Sequence, residues 1–171
     1  MHESVIFRGT FAYKQKEDKM VIRDGKAEDY NAVEKIAKQV QELHVEFRPD
    51  IYHSVETVID EITYGEYITS RNIVVAEQKD VIVGFMISYI REITSPMLHK
   101  RRVLFIDSIA ILDKYRRQGI GSKFLEYAKK YAVENELQAV ELQVNARNKG
   151  AYESYVKNGF SEKSINMEFL L

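Results

Sequence analysis

A glycine-containing turn between an apolar strand and a long helix constrains this fold more than any other feature of the sequence. The turn reads Arg116-Arg117-Gln118-Gly119-Ile120-Gly121-Ser122. Glycine lets the backbone come close to a ligand, and the first N–H groups of the helix that follows have no intrahelical partner. These features predict an anion site, in which the helix N-terminus and a neighbouring arginine hold a pyrophosphate.

The sequence on either side of this turn fits a strand and a helix. Residues Arg102 to Leu112 alternate in the manner of a strand, and apolar residues recur every three or four positions from Ile120 onward. Two other phosphate-binding turns do not fit. A P-loop needs four residues between its first glycine and a Gly-Lys pair, and a dinucleotide-binding turn needs a third glycine where Phe124 stands.

Patterns elsewhere in the chain predict a mixed α/β sheet with helices on both faces. After a first strand, we predict these elements in chain order: a helix over Glu28–Leu43, a second helix capped by Ser54 and closed by Gly65, a hairpin of strands Asn72–Glu77 and Val81–Ile90, the strand and helix around the glycine turn, a strand over Ala139–Val144, a helix over Asn148–Lys157 and a strand-like stretch over Ile165–Leu171. Residues 20–171 are predicted to form one domain. Residues 1–19 are an extension of uncertain role, and we hypothesise that Met20 is the natural start.

Composition argues against several classes of function. Lys and Arg number 25 and Asp and Glu number 26, so the net charge of -1 gives no long-range attraction to nucleic acid or to an anionic membrane. Cysteine is absent, which excludes disulfides and thiolate chemistry. No apolar run is long enough to span a bilayer, so we expect a soluble, cytoplasmic protein. The histidines lack metal-ligand spacing, and no metal is expected; they are His2, His44, His53 and His99.

A second block of residues downstream supports a specific interpretation of the glycine turn. The block consists of Asn148, Ala151, Tyr155, Gly159 and Phe160. The turn, Arg116-x-x-Gly119-x-Gly121, and this block resemble the coenzyme loop and the closing signature of the GCN5-related N-acetyltransferases (GNAT). The resemblance covers roughly residues 20–171, and its specific motifs lie within residues 103–160.

The resemblance implies the GNAT fold, a mixed and mostly antiparallel sheet flanked by helices, in which a splayed strand pair holds the coenzyme. The strand that carries Ile109 would leave its neighbour at a bulge, so that its free backbone groups bind the pantetheine arm and polarise the thioester. The cosubstrate implied is acetyl-CoA, without a metal. The residues implied to bind it are Ile109, Ala110, Ile111, Arg116, Arg117, Gln118, Gly119, Ile120, Gly121, Ser122, Asn148, Ala151 and Tyr155.

The resemblance also implies that a primary amine attacks the thioester directly in a ternary complex, without an acyl-enzyme. Tyr155 matches the position of the proton donor for the departing thiolate. The general base is open between Asp107 and Glu141, and we prefer Asp107. Gln143 stands where relatives that act on ribosomal protein N-termini carry a glutamate, and this departure argues against that subclass.

The sequence leaves the acceptor open, as a small-molecule or peptide amine. In the family, the segment His44–Tyr52 and the last strands would set specificity, and they carry no decisive charge pattern here. Two alternatives remain: an O-acyl or longer-acyl transferase, and a non-catalytic acyl-CoA sensor or interaction module. The presence of Tyr155 argues against the sensor. Relatives are often dimers, so a homodimer is also considered.

Overall fold

The computed structural model describes residues 11–13 and 20–171, and its side chains from residue 20 onward. Most of the predicted extension over residues 1–19 therefore lies outside the described residues. The elements in chain order are β1 Phe11–Tyr13, β2 Met20–Asp24, α1 Tyr30–Phe47, α2 Glu61–Thr69, β3 Ile73–Gln78, β4 Val81–Ile93, β5 Arg101–Ile111, α3 Ile120–Glu134, β6 Ala139–Leu142 and α4 Lys149–Lys157, with 3-10 turns at Ala27–Asp29 and Asp113–Tyr115.

The strands form one sheet in the order β1-β2-β3-β4-β5-β6. Neighbours pair antiparallel except β5 and β6, which are parallel because α3 carries the chain across between them. The β3–β4 hairpin turns through Lys79 and Asp80, whose φ angles of 50° and 58° suit the right-handed twist of the flanking strands. The predicted mixed, mostly antiparallel sheet is confirmed.

Helices cover both faces of the sheet, as predicted. On one face, α1 and α2 bury an apolar cluster that includes Ile36, Tyr64, Val75, Phe85 and Ile87. We call this the α1/α2 face. On the other face, α3 buries a second cluster that includes Ile22, Met86, Leu104, Phe124 and Tyr131. We call this the α3 face. Among the helices of the described residues, none combines the length and apolar character needed to cross a bilayer.

The predicted second helix is wrong in its position. Its predicted cap, Ser54, donates instead to the Glu42 carboxylate at 2.8 Å. The helix begins after Asp60, whose carboxylate accepts the N–H of Thr63 at 2.7 Å, and Gly65 lies inside it rather than at its end. A carboxylate that binds an N3 backbone N–H is a strong N-cap, so Asp60 sets this boundary.

A carboxylate from α1 explains why the chain before Asp60 is not helical. The two oxygens of Glu34 accept the backbone N–H groups of Val58 and Ile59, each at 2.9 Å. These donors are therefore satisfied by a residue far away in sequence, and they need no helical partner. Local spacing could not reveal this contact.

The predicted C-terminal strand over residues 165–171 is also wrong. The described residues after α4 carry no strand, and the alternating apolar side chains there are exposed, with Met167 at 88% and Phe169 at 87% of full exposure. Two ion pairs hold this segment: Lys163 to Glu141 at 2.7 Å and Glu168 to Arg48 at 2.5 Å. These contacts direct the tail from β6 toward the end of α1, away from a ladder with β6.

The ion pair between Arg23 and Asp29 ties β2 to the start of α1. Arg23 contacts the two Asp29 oxygens at 2.7 and 2.9 Å, and Asp29 also accepts the Lys26 N–H at 2.8 Å. Because Asp29 is 4% exposed, Asp29→Asn removes a buried charge from the half-buried Arg23 guanidinium and leaves it, among the described residues, paired with Glu77 alone, at 2.6 Å. We expect a loss of about 2 kcal/mol in the free energy of unfolding at pH 7, measured by urea denaturation.

The difference in unfolding free energy between wild type and Asp29→Asn should become smaller at acidic pH. Burial raises the pKa of Asp29, but the hydrogen bonds from Arg23 and from the Lys26 N–H outweigh it, and the pKa lies below its ordinary value of 3.8. A carboxyl with a lowered folded pKa stabilises the fold above its unfolded pKa and loses that contribution as the pH falls through the folded value. The wild type and Asp29→Asn should therefore converge below pH 3.8. An undiminished difference there would contradict this account.

Candidate functional site

The N-terminus of α3 presents backbone donors that no described side chain caps. Gly119 is the N-cap residue in a left-handed conformation, with φ 79°, and it makes no side-chain capping bond. The Lys123 N–H closes the first helical turn on the Gly119 carbonyl at 3.1 Å. The N–H groups of the first three helical residues, Ile120 to Ser122, therefore face outward at the positive end of the helix. Donors arranged in this way at a helix N-terminus suit an anion such as a pyrophosphate.

Gly121 keeps the approach to these donors open. A Cβ added at Gly121 would meet the Ile111 side chain at 3.5 Å, which is an ordinary contact distance. The turn thus tolerates a methyl group at this position, whereas a longer side chain would extend into the space in front of the N–H groups. Gly119 depends on its positive φ instead, since a Cβ added there would have no described neighbour within 4 Å.

The polar side chains of the turn are partly held by their own loop. Arg116 forms an ion pair with Asp113 at 3.0 Å, and its Nε lies 3.4 Å from the Ile111 carbonyl. Gln118 donates to the Lys114 carbonyl at 3.2 Å. Arg117 is exposed and has a φ of 61°, which is uncommon for a residue with a side chain. Of the two arginines, Arg117 is the better placed to contact an anion without breaking an ion pair.

A β-bulge in β5 lies where the sheet opens. In the β4–β5 register, Ile87 faces Ser108 and Ser88 faces Ile106, so Asp107 has no partner opposite it. On its other side, β5 pairs with β6 only as far as Ile106 and Leu142. Beyond this row the two parallel strands part, and the predicted splay is present.

The opened edge of β5 carries backbone groups that no strand of the described chain pairs. The Leu112 N–H donates to the Val83 carbonyl on β4 at 2.9 Å. In an antiparallel ladder, alternate residues bond to the same neighbour, so Ala110 shares that edge while Ile109 and Ile111 face the opening. The Ile111 carbonyl accepts from Gln39 at 3.1 Å. An extended ligand arm can therefore add to this edge beside Ile109.

The second motif block closes the same region. Asn148 caps α4 by accepting the Ala151 N–H at 3.2 Å, and Gly159 ends the helix with φ 84°. The end of α4 contacts the start of α3, because Asn158 donates to the Ser122 hydroxyl at 3.1 Å and its carbonyl accepts from Lys129. The spacing of this block therefore corresponds to the length of α4, from its N-cap at Asn148 to its end at Gly159, where the helix contacts α3.

Tyr155 lies on α4 next to the opening. Its ring packs on Phe160 with centroids 6.1 Å apart, and it contacts the same apolar cluster as Ile109 and Ile111. Burial raises the pKa of its hydroxyl above the ordinary value of 10.0. The hydroxyl is therefore protonated at neutral pH and able to give a proton.

The two candidate bases differ in their surroundings. Glu141 on β6 is bound by Lys163 at 2.7 Å and approached by Arg101 at 3.6 Å. Asp107 is exposed at the bulge, and its contact is a hydroxyl, that of Ser108, at 3.4 Å. The Glu141 carboxylate is thus occupied by two cations, whereas Asp107 forms no ion pair within residues 20–171, so the geometry favours Asp107 as the group open to a ligand.

Aromatic side chains and an arginine lie on the α1/α2 face beside Asp107, and the sequence did not single them out. Tyr89 and Phe105 have ring centroids 5.6 Å apart, and the Arg91 guanidinium lies 3.2 Å from the Phe105 ring centroid. Tyr67 on α2 has a raised pKa, first through burial and then through the negative charge of Asp107, which places these two groups near each other. Tyr89 and Arg91 alternate on β4 and so lie on one face of the strand, and this spacing could have indicated the group from the sequence.

Comparisons with known proteins agree with this architecture. Among curated relatives, the uncharacterized N-acetyltransferase MJ1207 of Methanocaldococcus jannaschii is 38% identical over 68 residues, which is 40% of this chain and 30% of that protein. A solved structure of the BH1408 protein from Bacillus halodurans, a tetramutant, is similar with a TM-score of 0.82 and 24% identity over 88% of this chain and 99% of that one. The aminoglycoside N-acetyltransferase AAC(6')-Iy in complex with CoA has a TM-score of 0.64 at 13% identity, covering 93% of this chain and 99% of that one.

The family match rests on the sequence itself and spans the site. The Acetyltransferase (GNAT) family matches residues 36–160, from the middle of α1 through the glycine turn to Phe160. This range is more than half of the chain and contains both motif blocks. It also contains the opened strand edge and both candidate carboxylates. The chain belongs to the GNAT acetyltransferase family.

Proposed function

We propose that this protein transfers an acetyl group from acetyl-CoA to a primary amine by direct attack in a ternary complex. The observation that carries the proposal is the uncapped N-terminus of α3 beside the opened edge of β5. The first suits a pyrophosphate and the second an extended amide-containing arm, and the coenzyme has both parts. The structural neighbour AAC(6')-Iy, which is in complex with CoA, supports the same assignment.

The coenzyme-binding residues follow from that placement. The N–H groups of Ile120 to Ser122 would bind the pyrophosphate, with Arg117 adding charge. The backbone of Ile109 and Ile111 would hold the pantetheine arm in line with the strand. Asn148 and Ala151 would act through the cap of α4, which fixes the helix that carries Tyr155. Acetyl-CoA supplies the acetyl group, already activated as a thioester.

Two side chains at the opening would carry out the proton transfers. Asp107 would accept a proton from the amine, directly or through a water, so that the nitrogen lone pair can attack the acetyl carbon. As the new carbon–nitrogen bond forms, the carbon–sulfur bond breaks, and Tyr155 would give its proton to the departing sulfur. A backbone N–H at the bulge would stabilise the negative charge that develops on the acyl oxygen. The products are an N-acetylated amine and free CoA.

A thiol-release screen tests this proposal. The protein is incubated with acetyl-CoA and separate panels of amines, alcohols and water alone, and free thiol is followed with a chromogenic reagent. We expect turnover with at least one primary amine above the rate of hydrolysis. Turnover with alcohols alone would favour O-acyl transfer. Tight acetyl-CoA binding without thiol release from any panel would contradict the enzyme and favour the sensor.

Asp107→Asn tests the base. We expect kcat/KM for the amine to fall roughly 100-fold at pH 7, because the amide cannot take the proton of an ammonium group. The loss should shrink as the pH approaches about 10.4, where an alkylamine becomes neutral without help. The measurement is the pH profile of both proteins. Glu141→Gln serves as the comparison. If the loss of kcat/KM in Glu141→Gln shrinks at high pH, and the loss in Asp107→Asn does not, the base would be Glu141.

A further inference from the structure

We propose that the acceptor amine carries a carboxylate, and that Arg91 binds it. This inference rests on the proposed acetyl transfer and concerns the acceptor half of the same site. It follows from the position of Arg91 on the α1/α2 face, from its missing counter-charge within residues 20–171 and from its separation from Asp107.

The Arg91 guanidinium lies over an aromatic platform formed by Tyr89 and Phe105. Its guanidinium lies 3.2 Å from the Phe105 ring centroid and 5.2 Å from that of Tyr89, and it donates one hydrogen bond to the Tyr89 hydroxyl at 2.9 Å. The ring contact and this hydrogen bond restrain the position of the guanidinium, and its other N–H donors remain available to a ligand. A planar fork held in this way is pre-organised for a carboxylate.

The charges around Arg91 favour an anion. No carboxylate within residues 20–171 forms an ion pair with Arg91, although the residue is exposed on the strand. The next carboxylate across the sheet, Glu141, is the register partner of Phe105, and it is already shared by Lys163 and Arg101. Lys163 and Arg101 therefore already occupy the Glu141 carboxylate, which leaves Arg91 without an ion-pair partner among residues 20–171.

The distance to the reaction site sets the size of the acceptor. Phe105 lies beneath the Arg91 guanidinium, and Asp107 follows two residues later on β5. At about 3.3 Å per residue, the two positions are at most about 7 Å apart along the strand. One small molecule can therefore place its amine at Asp107 and its carboxylate at Arg91. The class that fits is an amino acid whose carboxylate lies a few bonds from the reacting nitrogen.

A matched series of acceptors tests this inference. The probes are glycine, β-alanine, 4-aminobutanoate, 5-aminopentanoate and 6-aminohexanoate, each compared with the n-alkylamine of equal chain length that lacks the carboxylate. We expect the best amino acid to exceed its alkylamine roughly tenfold to a hundredfold in kcat/KM, the range of a charge-assisted hydrogen bond. Arg91→Met should remove that ratio, and Arg91→Lys should keep part of it.

Arg102→Met is the control, because Arg102 is the same residue type on β5 but points to the opposite side and pairs with Glu92 at 3.8 Å. It should leave the ratio unchanged, and neither methionine variant should change the affinity for acetyl-CoA. Equal or better turnover of the alkylamines by wild type would overturn the inference while leaving acetyl transfer intact. Unchanged ratios in Arg91→Met would overturn it as well. Failure of every amine, with acetyl-CoA bound, would count against the proposed function itself.

Discussion

Gly121→Glu is expected to abolish acetyl-CoA binding without unfolding the protein. Isothermal titration should give a micromolar Kd for wild type, about -8 kcal/mol, and at least a 100-fold weaker Kd for the variant. The new carboxylate would occupy the space in front of the Ile120–Ser122 N–H groups and repel the pyrophosphate. An acid at the second residue of a helix also suits the positive end of the macrodipole, so the thermal midpoint should not fall.

Two control variants test the size and the position of the added side chain. In Gly121→Ala, the added methyl group meets Ile111 at 3.5 Å, so binding should remain within a few-fold of wild type. In Gly65→Glu, the same side chain is added inside α2, where no described atom lies within 4 Å of the Cβ position, and binding should be unchanged. Unaltered binding in Gly121→Glu would remove the helix N-terminus from the site.

Tyr155→Phe is expected to lower kcat roughly 100-fold while leaving the KM for acetyl-CoA close to wild type. General acid catalysis typically contributes this much or more, and the thiolate of CoA is a moderately good leaving group, so the low end applies. The ring would keep its packing on Phe160, and the thermal midpoint should stay the same. Steady-state kinetics with the best amine from the screen provide the measurement.

The pH profile gives an independent check on this role. Because burial raises the pKa of Tyr155 above 10.0, the wild type should keep this proton donor throughout the neutral range and lose it only at still higher pH. The variant should lack that alkaline decline. Tyr152→Phe is the matched control, since Tyr152 lies on the same helix with its hydroxyl on Glu162 at 3.2 Å. Equal losses in the two variants would show that helix α4, and not the Tyr155 proton, is what matters.

Sequence spacing predicted the elements whose signals are local. The glycine turn, the β3–β4 hairpin and helix α4 each depend on residues within a few positions of one another, and all three are present. The splay was implied by the family resemblance. Its bulge falls at Asp107, a position that the alternation of apolar residues in β5 did not mark.

The errors occurred where distant residues decide the local structure. Ser54 and Asp60 are both acceptable helix caps, and the Glu34 carboxylate selects between them by binding two N–H groups before Asp60. The tail alternates like a strand, but the ion pair between Glu168 and Arg48 draws it toward the end of α1. Neither contact leaves a periodic signal, because the partners are separated by many residues.

The candidate site also combines features with local sequence signals and features that depend on contacts between distant residues. The residues proposed for the coenzyme half could be named from the sequence, since its motifs carry glycines and a helix start. The acceptor half was left open, because Arg91 and Phe105 come from different strands and meet only when the β4–β5 register is known. A planar cation on an aromatic ring is a property of the sheet and not of either strand alone.

The most direct test of acetyl transfer by direct attack is one single-turnover reaction, with protein in excess over acetyl-CoA and the best amine present, quenched and followed by mass spectrometry. We predict that free CoA and N-acetylated amine appear at the same rate and in equal amounts, while the intact mass of the protein stays unchanged throughout. A protein species heavier by one acetyl group that forms and decays ahead of the product would contradict direct attack. Release of CoA without any acetylated amine would contradict acetyl transfer altogether.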